Sequence, residues 1–399
     1  MRVALTGNGA FAEAMRQIEP HMVAAYPITP QTEVVEEFSQ MVADDKVKSQ
    51  LIAVESEHSA MSACIGGAAA GGRVMTATAS QGLAYMWEML YIASGLRLPI
   101  VMGVANRALS APINIHGDHS DSMGARDSGW VQLYCKNPQE VYDAVIQAVR
   151  IGERKDVRLP VMVCYDGFTV SHSLMDLEVL SDGEVKDFIG EYEPLYPLLD
   201  VEHPVSWGGL DLYDYYMEHK RQQVEAMKNA ERAIGEIGKE FGERFGRTYR
   251  MVDTYRADDA ELLAVALGST AATAEHAVDS LRAKGVSAGV VSLRCFRPFP
   301  KADLAKALGG VKAVAVMDKA ESCSGWGGPL SIEVRALLND AGLRPAVLPV
   351  VYGLGGRDTT AAQIAEMFDV LAAASERGGT QPVFYLGLRG ELHGLVKAA

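Results

Sequence analysis

Glu55-Ser56-Glu57-His58-Ser59 follows the apolar run Leu51–Val54 and precedes the small-residue stretch Ala60–Ala70, so two carboxylates stand where a strand hands over to a helix. A carboxylate half buried against alanine and glycine has its pKa raised, which fits it to hold or move a proton. The same residues also read as a helix start, with Ser56 or Ser59 as N-cap and acids favoured by the helix dipole. Upstream, Tyr26-Pro27-Ile28-Thr29-Pro30-Gln31-Thr32 sets a small hydroxyl between two prolines. Proline restricts the loop, so Thr29 would present its hydroxyl at little ordering cost. Alternatively Thr29 is an N-cap, with Pro30 at the first helical position and Glu33 in the first turn. Asn106-Arg107-Ala108 ends the apolar run Ile100–Ala105 with a guanidinium, the group that grips a carboxylate in two-pronged geometry.

Three further motifs carry weaker signals. Thr76-Ala77-Thr78-Ala79-Ser80-Gln81-Gly82 runs through small residues into a helix and leaves room for a flat ligand, although such turns are common between strand and helix. Ile115-His116-Gly117-Asp118-His119-Ser120-Asp121 gathers imidazoles and carboxylates. A metal is one reading of it, and an ordered irregular loop or the mouth of a polar pocket is the preferred one. Gly7-Asn8-Gly9-Ala10-Phe11-Ala12 fits a dinucleotide fingerprint, but the next strand ends in Tyr26-Pro27 where a ribose-binding acid is needed. A glycine turn that packs a helix tightly on the sheet is the simpler account.

These motifs need a frame that brings strand ends together. Short apolar runs alternate with Ala/Gly-rich helical stretches, the pattern of a parallel sheet covered by helices. Strands are expected at Met22–Tyr26, Leu51–Val54, Val74–Thr78, Ile100–Ala105 and Val161–Tyr165, with helices at Pro30–Val42, Ser59–Ala70, Gly82–Ser94 and Pro138–Gly152. Prolines and acids then mark an extended connector, and Tyr215–Phe245 reads as one exposed helix or a contact surface for another subunit. A second alternation has strands at Glu261–Gly268, Ala288–Leu293, Ala313–Asp318 and Ala346–Val351 and predicts a smaller α/β domain.

Composition narrows the function. A net charge of -14 disfavours nucleic acid and anionic membrane surfaces as partners. No apolar run approaches the roughly 20 residues of a membrane span, and Gly7 interrupts the N-terminus before a signal-length stretch, so a cytoplasmic location is expected. Cys64, Cys135, Cys164, Cys295 and Cys323 are scattered, unlike the close pairs that hold zinc or clusters. Cys64, Cys164 and Cys295 are expected to be buried and inert.

Taken in order and spacing, YPITPQT, ESEHSAM, TATASQGL, ANRALSAP and GDHSD resemble the alpha subunit of pyruvate and related 2-oxoacid:ferredoxin oxidoreductases. Tyr165-Asp166-Gly167-Phe168, Asp214-Tyr215-Tyr216, Ala266–Thr270 and Gly353–Asp358 extend the resemblance over nearly the whole chain. It implies an α/β fold: a thiamine diphosphate pyrimidine-binding domain with a doubly wound parallel sheet at 1–172, a connector with a long helix at 173–258, and a transketolase C-terminal-like α/β domain at 259–399. It implies that Glu57 contacts the cofactor's aminopyrimidine, that Thr29 and Arg107 bind the substrate carboxylate, and that Tyr26, Pro27, Ser80 and Gln81 shape the cofactor pocket.

No Gly-Asp-Gly with a following asparagine is found, and Gly117-Asp118-His119 does not match it, so the diphosphate and its Mg²⁺ are expected on a partner chain. Beta, gamma and delta-type subunits are implied, carrying [4Fe-4S] clusters and passing electrons to ferredoxin as a 2-oxoacid becomes an acyl-CoA with coenzyme A. Pyruvate is the expected acid, with an aryl or branched-chain acid such as phenylglyoxylate as the alternative. A non-catalytic organising subunit and a non-oxidative thiamine enzyme remain open on the sequence alone.

Overall fold

The computed structural model describes residues 1–390, so the last part of the 259–399 unit lies outside the described residues. A seven-stranded sheet runs in the order Cys295–Arg297, Val131–Cys135, Val161–Asp166, Val101–Asn106, Val74–Thr78, Met22–Ala25, Gln50–Ala53. Neighbours are parallel except Cys295–Arg297, which lies antiparallel to Val131–Cys135. The central strands are buried along their whole length, as sheets covered on both faces require.

Strand order decides where a ligand can enter. Met22–Ala25 pairs with Gln50–Ala53 on one side and Val74–Thr78 on the other, so the chain winds outward in both directions from this strand. Such a switch opens a crevice outside the strands' carboxyl ends. The Tyr26–Pro30 loop and the Ala79–Ser80 turn flank it, and Arg107 follows the next strand along.

The second sheet runs Phe384–Leu386, Ala346–Tyr352, Ala313–Asp318, Leu262–Ala266, Ala288–Leu293, Val252–Tyr255, with only the last strand antiparallel to its neighbour. Cys64, Cys164 and Cys295 are buried, and burial pushes the Cys64 thiol up to about 12.

Some elements differ from expectation. The helix expected at Gly82–Ser94 is two, Ser80–Tyr85 and Trp87–Gly95, meeting at Met86. Strand Val131–Cys135 is not evident in the sequence because Gln132 interrupts its apolar run; the buried Gln132 amide donates to Ser122 O at 2.8 Å. Tyr216–Phe245 is not simply exposed: Ala226, Ala230, Ala233, Ile237 and Phe241 form a buried stripe in the first unit's core. The first glycine turn packs a helix, as expected. Gly7 and Asn8 N–H groups donate to Val170 O and Ser171 O at 3.0 Å each, and a Cβ on Gly7 would stand 2.5 Å from Val170 O.

Asp166 ties the units together. Fully buried at the end of Val161–Asp166, it accepts from Lys319 Nζ at 2.9 Å and from Ser269 N–H and Oγ at 2.9 and 2.6 Å, while His119 Nε2 lies 3.0 Å away. Lys319 and His119 hold its carboxyl well below the usual carboxylate range against the opposing effect of burial. Asp166→Asn leaves Lys319 buried without its counter-charge, so it should destabilise the chain by about 3–5 kcal/mol at pH 7. Because the folded pKa lies below the unfolded value near 3.9, this contribution is complete above that value and is lost as pH falls through the folded one. Urea unfolding curves of wild type and variant should therefore begin to converge only below about pH 4.

Candidate functional site

Helix Glu57–Ala69 begins with Ser56 as its N-cap, the Ser56 Oγ accepting from Ser59 N–H at 3.2 Å. Glu57 is thus the first helical residue and faces the crevice side of the fold. It is 7% exposed and has no hydrogen-bond or ion-pair partner among the described residues. A cap and a buried carboxylate without a partner thus coexist in this motif. Glu55 is different: it is exposed, and its bond from Ser59 Oγ lowers its pKa.

The Glu57 carboxylate needs Gly82. A Cβ built on Gly82 would stand 2.8 Å from Glu57 Oε1 and would also collide with Thr78 Oγ1. Thr78 Oγ1 is itself buried and without a partner among the described residues. An acid and a hydroxyl, both uncommitted, therefore meet at a glycine on the far side of the switch strand from Gln50–Ala53.

Thr29 is not an N-cap. Helix Thr32–Ala43 has Gln31 at its cap, without a side-chain cap bond, so the alternative that placed Pro30 in the first turn is corrected. Thr29 is exposed, its hydroxyl has no partner among the described residues, and its carbonyl accepts from Arg107 Nη1 at 2.9 Å.

Arg107 is 6% exposed, and its Nε donates to Asn114 O at 2.7 Å. Among the described residues no carboxylate lies within ion-pair reach, and Nη2 has no partner. Burial lowers its pKa, with Asp121 opposing. Buried charges are normally paired, so a guanidinium held only by two carbonyls is prepared for an anion.

Asp121 joins the loops. Its Oδ2 accepts from both Ser80 N–H and Arg107 N–H at 2.9 Å, and its Oδ1 from Asn106 Nδ2 at 2.8 Å and Ser122 N–H at 2.7 Å. One oxygen thereby couples the turn beside Glu57 to the residue that carries the cation. Burial pushes this carboxyl up to about 6 in spite of those bonds. Ser80 has φ +47°, a conformation that the Asp121 bond helps to hold.

Ser80 Oγ donates to Ala108 O at 2.6 Å and Gln81 Nε2 to Ser110 Oγ at 2.7 Å, so both side chains fasten the turn to the segment after Arg107. Tyr26 and Pro27 are exposed at the crevice edge.

The histidine-rich motif orders a loop, as preferred. Asp118 Oδ1 accepts from Ser120 N–H and Oγ at 3.0 and 2.6 Å, and Asp118 Oδ2 accepts from Gly355 N–H at 3.0 Å. The sequence named Asp166 and Ser269 only within motifs of the resemblance, without a role, and did not mark Lys319. The available signal is a charge or hydroxyl standing at or just after the end of each of three apolar strands.

A buried glutamate without a partner and an arginine without a carboxylate partner thus stand at the strands' carboxyl ends of one α/β unit, with a second α/β unit behind it, and the family model that matches this first unit is of the thiamine diphosphate-binding class. Residues 13–239 match the family model described as pyruvate flavodoxin/ferredoxin oxidoreductase, thiamine diphosphate-binding, and residues 260–364 match pyruvate:ferredoxin oxidoreductase core domain II. The chain belongs to the alpha-subunit family of 2-oxoacid:ferredoxin oxidoreductases.

It is 55% identical over 388 residues to pyruvate synthase subunit PorA of Thermotoga maritima, covering 97% of this chain and 98% of that one. It is 41% identical over 379 residues to ketoisovalerate oxidoreductase subunit VorA of Pyrococcus horikoshii, covering 95% of each. A solved 2-oxoglutarate:ferredoxin oxidoreductase from Magnetococcus marinus shares the fold with a TM-score of 0.72 at 19% identity, over 92% of this chain and 65% of that one.

The protein is accordingly an oxidoreductase chain acting on the oxo group of donors, and one subunit of a multi-subunit enzyme. No helix among the described residues is long and apolar enough to cross a membrane.

Gly82→Ala is expected to displace the Glu57 carboxylate and lower turnover of the assembled enzyme about 100-fold, the scale of an ångström-sized misplacement. Overpacking should cost only about 1–3 kcal/mol of stability, so thermal unfolding separates the two effects. Undiminished turnover in a folded variant would detach Glu57 from the chemistry.

Proposed function

We propose that this chain is the thiamine-activating subunit of an oxidative 2-oxoacid decarboxylase, with Glu57 as proton-handling acid and Thr29 and Arg107 as the carboxylate clamp. The observation that carries this reading is the uncommitted pair of charges: Glu57, packed against Gly82 in the turn that Ser80 begins, and Arg107, whose N–H shares Asp121 Oδ2 with Ser80 N–H. The residues fit the aminopyrimidine end of the cofactor: an orphaned Thr78 hydroxyl and the glycine cradle at Gly82 leave the Glu57 carboxylate free for a ring nitrogen. Tyr26, Pro27, Ser80 and Gln81 border that space. When bound, the cofactor supplies an electron sink for the carbon that loses carbon dioxide.

Glu57 would hold a proton in exchange with a ring nitrogen of the cofactor's aminopyrimidine, whose basic nitrogen the bound group would supply. Thr29 donates its hydroxyl, and Arg107 its free Nη2, to the substrate carboxylate. The two carbonyls on Arg107 temper its field. That suits a group that must leave uncharged, because holding the anion as tightly as the transition state would bring no rate gain.

Beta, gamma and delta-type subunits would supply the diphosphate site with Mg²⁺, the [4Fe-4S] clusters and the route to ferredoxin, with coenzyme A as acyl acceptor, in the cytoplasm. Pyruvate is the proposed acid, supported by the 55% identity to a pyruvate synthase subunit. A branched-chain acid is the second reading, favoured by the 41% identity to a ketoisovalerate oxidoreductase subunit.

The test is reduction of a low-potential dye by the purified complex with pyruvate, 3-methyl-2-oxobutanoate, phenylglyoxylate or oxalate, with and without coenzyme A. Reduction with pyruvate that depends on coenzyme A is the expected result. Preference for the branched acid would install the second reading, and reduction with none of the four would overturn the proposal.

A further inference from the structure

Residues 190–215 form no helix or strand, although a segment this long without secondary structure is uncommon in a compact domain unless it has work to do. Its base is seated. Arg158 Nη2 donates to Glu193 O at 2.6 Å, Leu198 N–H donates to Ala69 O at 2.9 Å, and Pro197 packs beside Gly71. Trp207 Nε1 closes the segment on itself through Tyr196 O at 3.0 Å. Many of its apolar side chains, and that of Met217 just beyond it, nevertheless point outward. Tyr196, Leu199, Val201, Leu210, Tyr213 and Met217 are exposed by 72, 74, 83, 88, 90 and 79%.

Lone exposed apolar residues are ordinary, but this density along one short segment marks an interaction site. Tyrosine and methionine are also among the types enriched in interface cores. Charge identifies the kind of partner. From Glu191 to Glu218 the chain has seven carboxylates and no lysine or arginine. A second copy of this chain, net charge -14, offers an unfavourable surface to such a segment.

We infer that residues 195–217 are a docking arm that seats on another subunit of the same enzyme, on a surface apolar at its centre and basic at its rim. The inference rests on the multi-subunit reading and adds to it the face of this chain that makes the contact. The arm is anchored to the first unit at Ala69, Gly71 and Arg158, on a different part of the chain from Glu57, Thr29 and Arg107, so it serves assembly and does not enter the chemistry.

Hydroxyl-radical footprinting of the full chain alone and of the intact complex tests this. Oxidation of Tyr213 and Met217 should fall about tenfold in the complex while the chain alone sediments as a monomer. The double substitution Asp211→Lys and Asp214→Lys, and separately Leu210→Ser with Tyr213→Ser, should weaken assembly at least about tenfold, the scale of losing one interface anchor. Unfolding curves of the full-length variants guard against misfolding.

Equal oxidation in both states, or variants that assemble normally, would overturn the inference. Protection already present in a self-associating chain would overturn it in favour of a second copy. Wild-type complex that protects the arm but reduces no dye with any 2-oxoacid would instead fault the functional reading.

Discussion

Glu57→Gln is expected to lower 2-oxoacid-dependent dye reduction by roughly 10²–10⁴-fold, the range attributed to a positioned proton-transfer group. The substitution keeps size and hydrogen-bonding shape while removing the ability to hold a proton in exchange with a ring nitrogen. Glu57 has no partner among the described residues, so no internal hydrogen bond is broken and the helix keeps its Ser56 cap. The variant complex should assemble and unfold as wild type does. Glu57→Asp, which keeps the acid but retracts it, should fall between the two. A variant complex with full activity would favour the view that this chain only organises its partners.

Arg107→Lys should act on a different parameter. The lysine cannot reproduce donation to both Asn114 O and Thr29 O while offering a third donor outward. A loss of roughly 2–4 kcal/mol, about 30- to 1000-fold in kcat/KM, is expected, and most of it should appear in KM for the 2-oxoacid. KM for the dye should not move. Unchanged KM for the acid in a folded, assembled variant would place the carboxylate elsewhere. The loss with Thr29→Ala should be smaller, because a neutral hydroxyl contributes less than a guanidinium.

Much of this site is legible in the amino-acid sequence because each element reports locally. Val74–Thr78, Val101–Asn106 and Ala313–Asp318 read as buried strands from largely apolar runs, and the motifs after the first two fall on the ligand-binding edge as parallel-sheet geometry requires. What stays hidden is long-range or diluted. The link between Asp166 and Lys319 spans 153 residues, and the pairing of Ser80 and Arg107 through Asp121 depends on strand order, which no local pattern states.

More than half of the buried stripe of Tyr216–Phe245 is alanine or glycine, so its signal drowns among charged neighbours. Thr29 is ambiguous because Thr-Pro before an acidic turn suits a helix cap equally well. Only the observed cap at Gln31 separates the two.

The role of Glu57 is tested by the rate at which the thiazolium C2 proton of thiamine diphosphate exchanges with deuterium when bound to the complex, followed by quenched-flow NMR in wild type and Glu57→Gln. With Glu57 as the activating acid, the cofactor should stay bound while exchange slows at least about 100-fold; exchange at the wild-type rate in the variant would contradict that assignment.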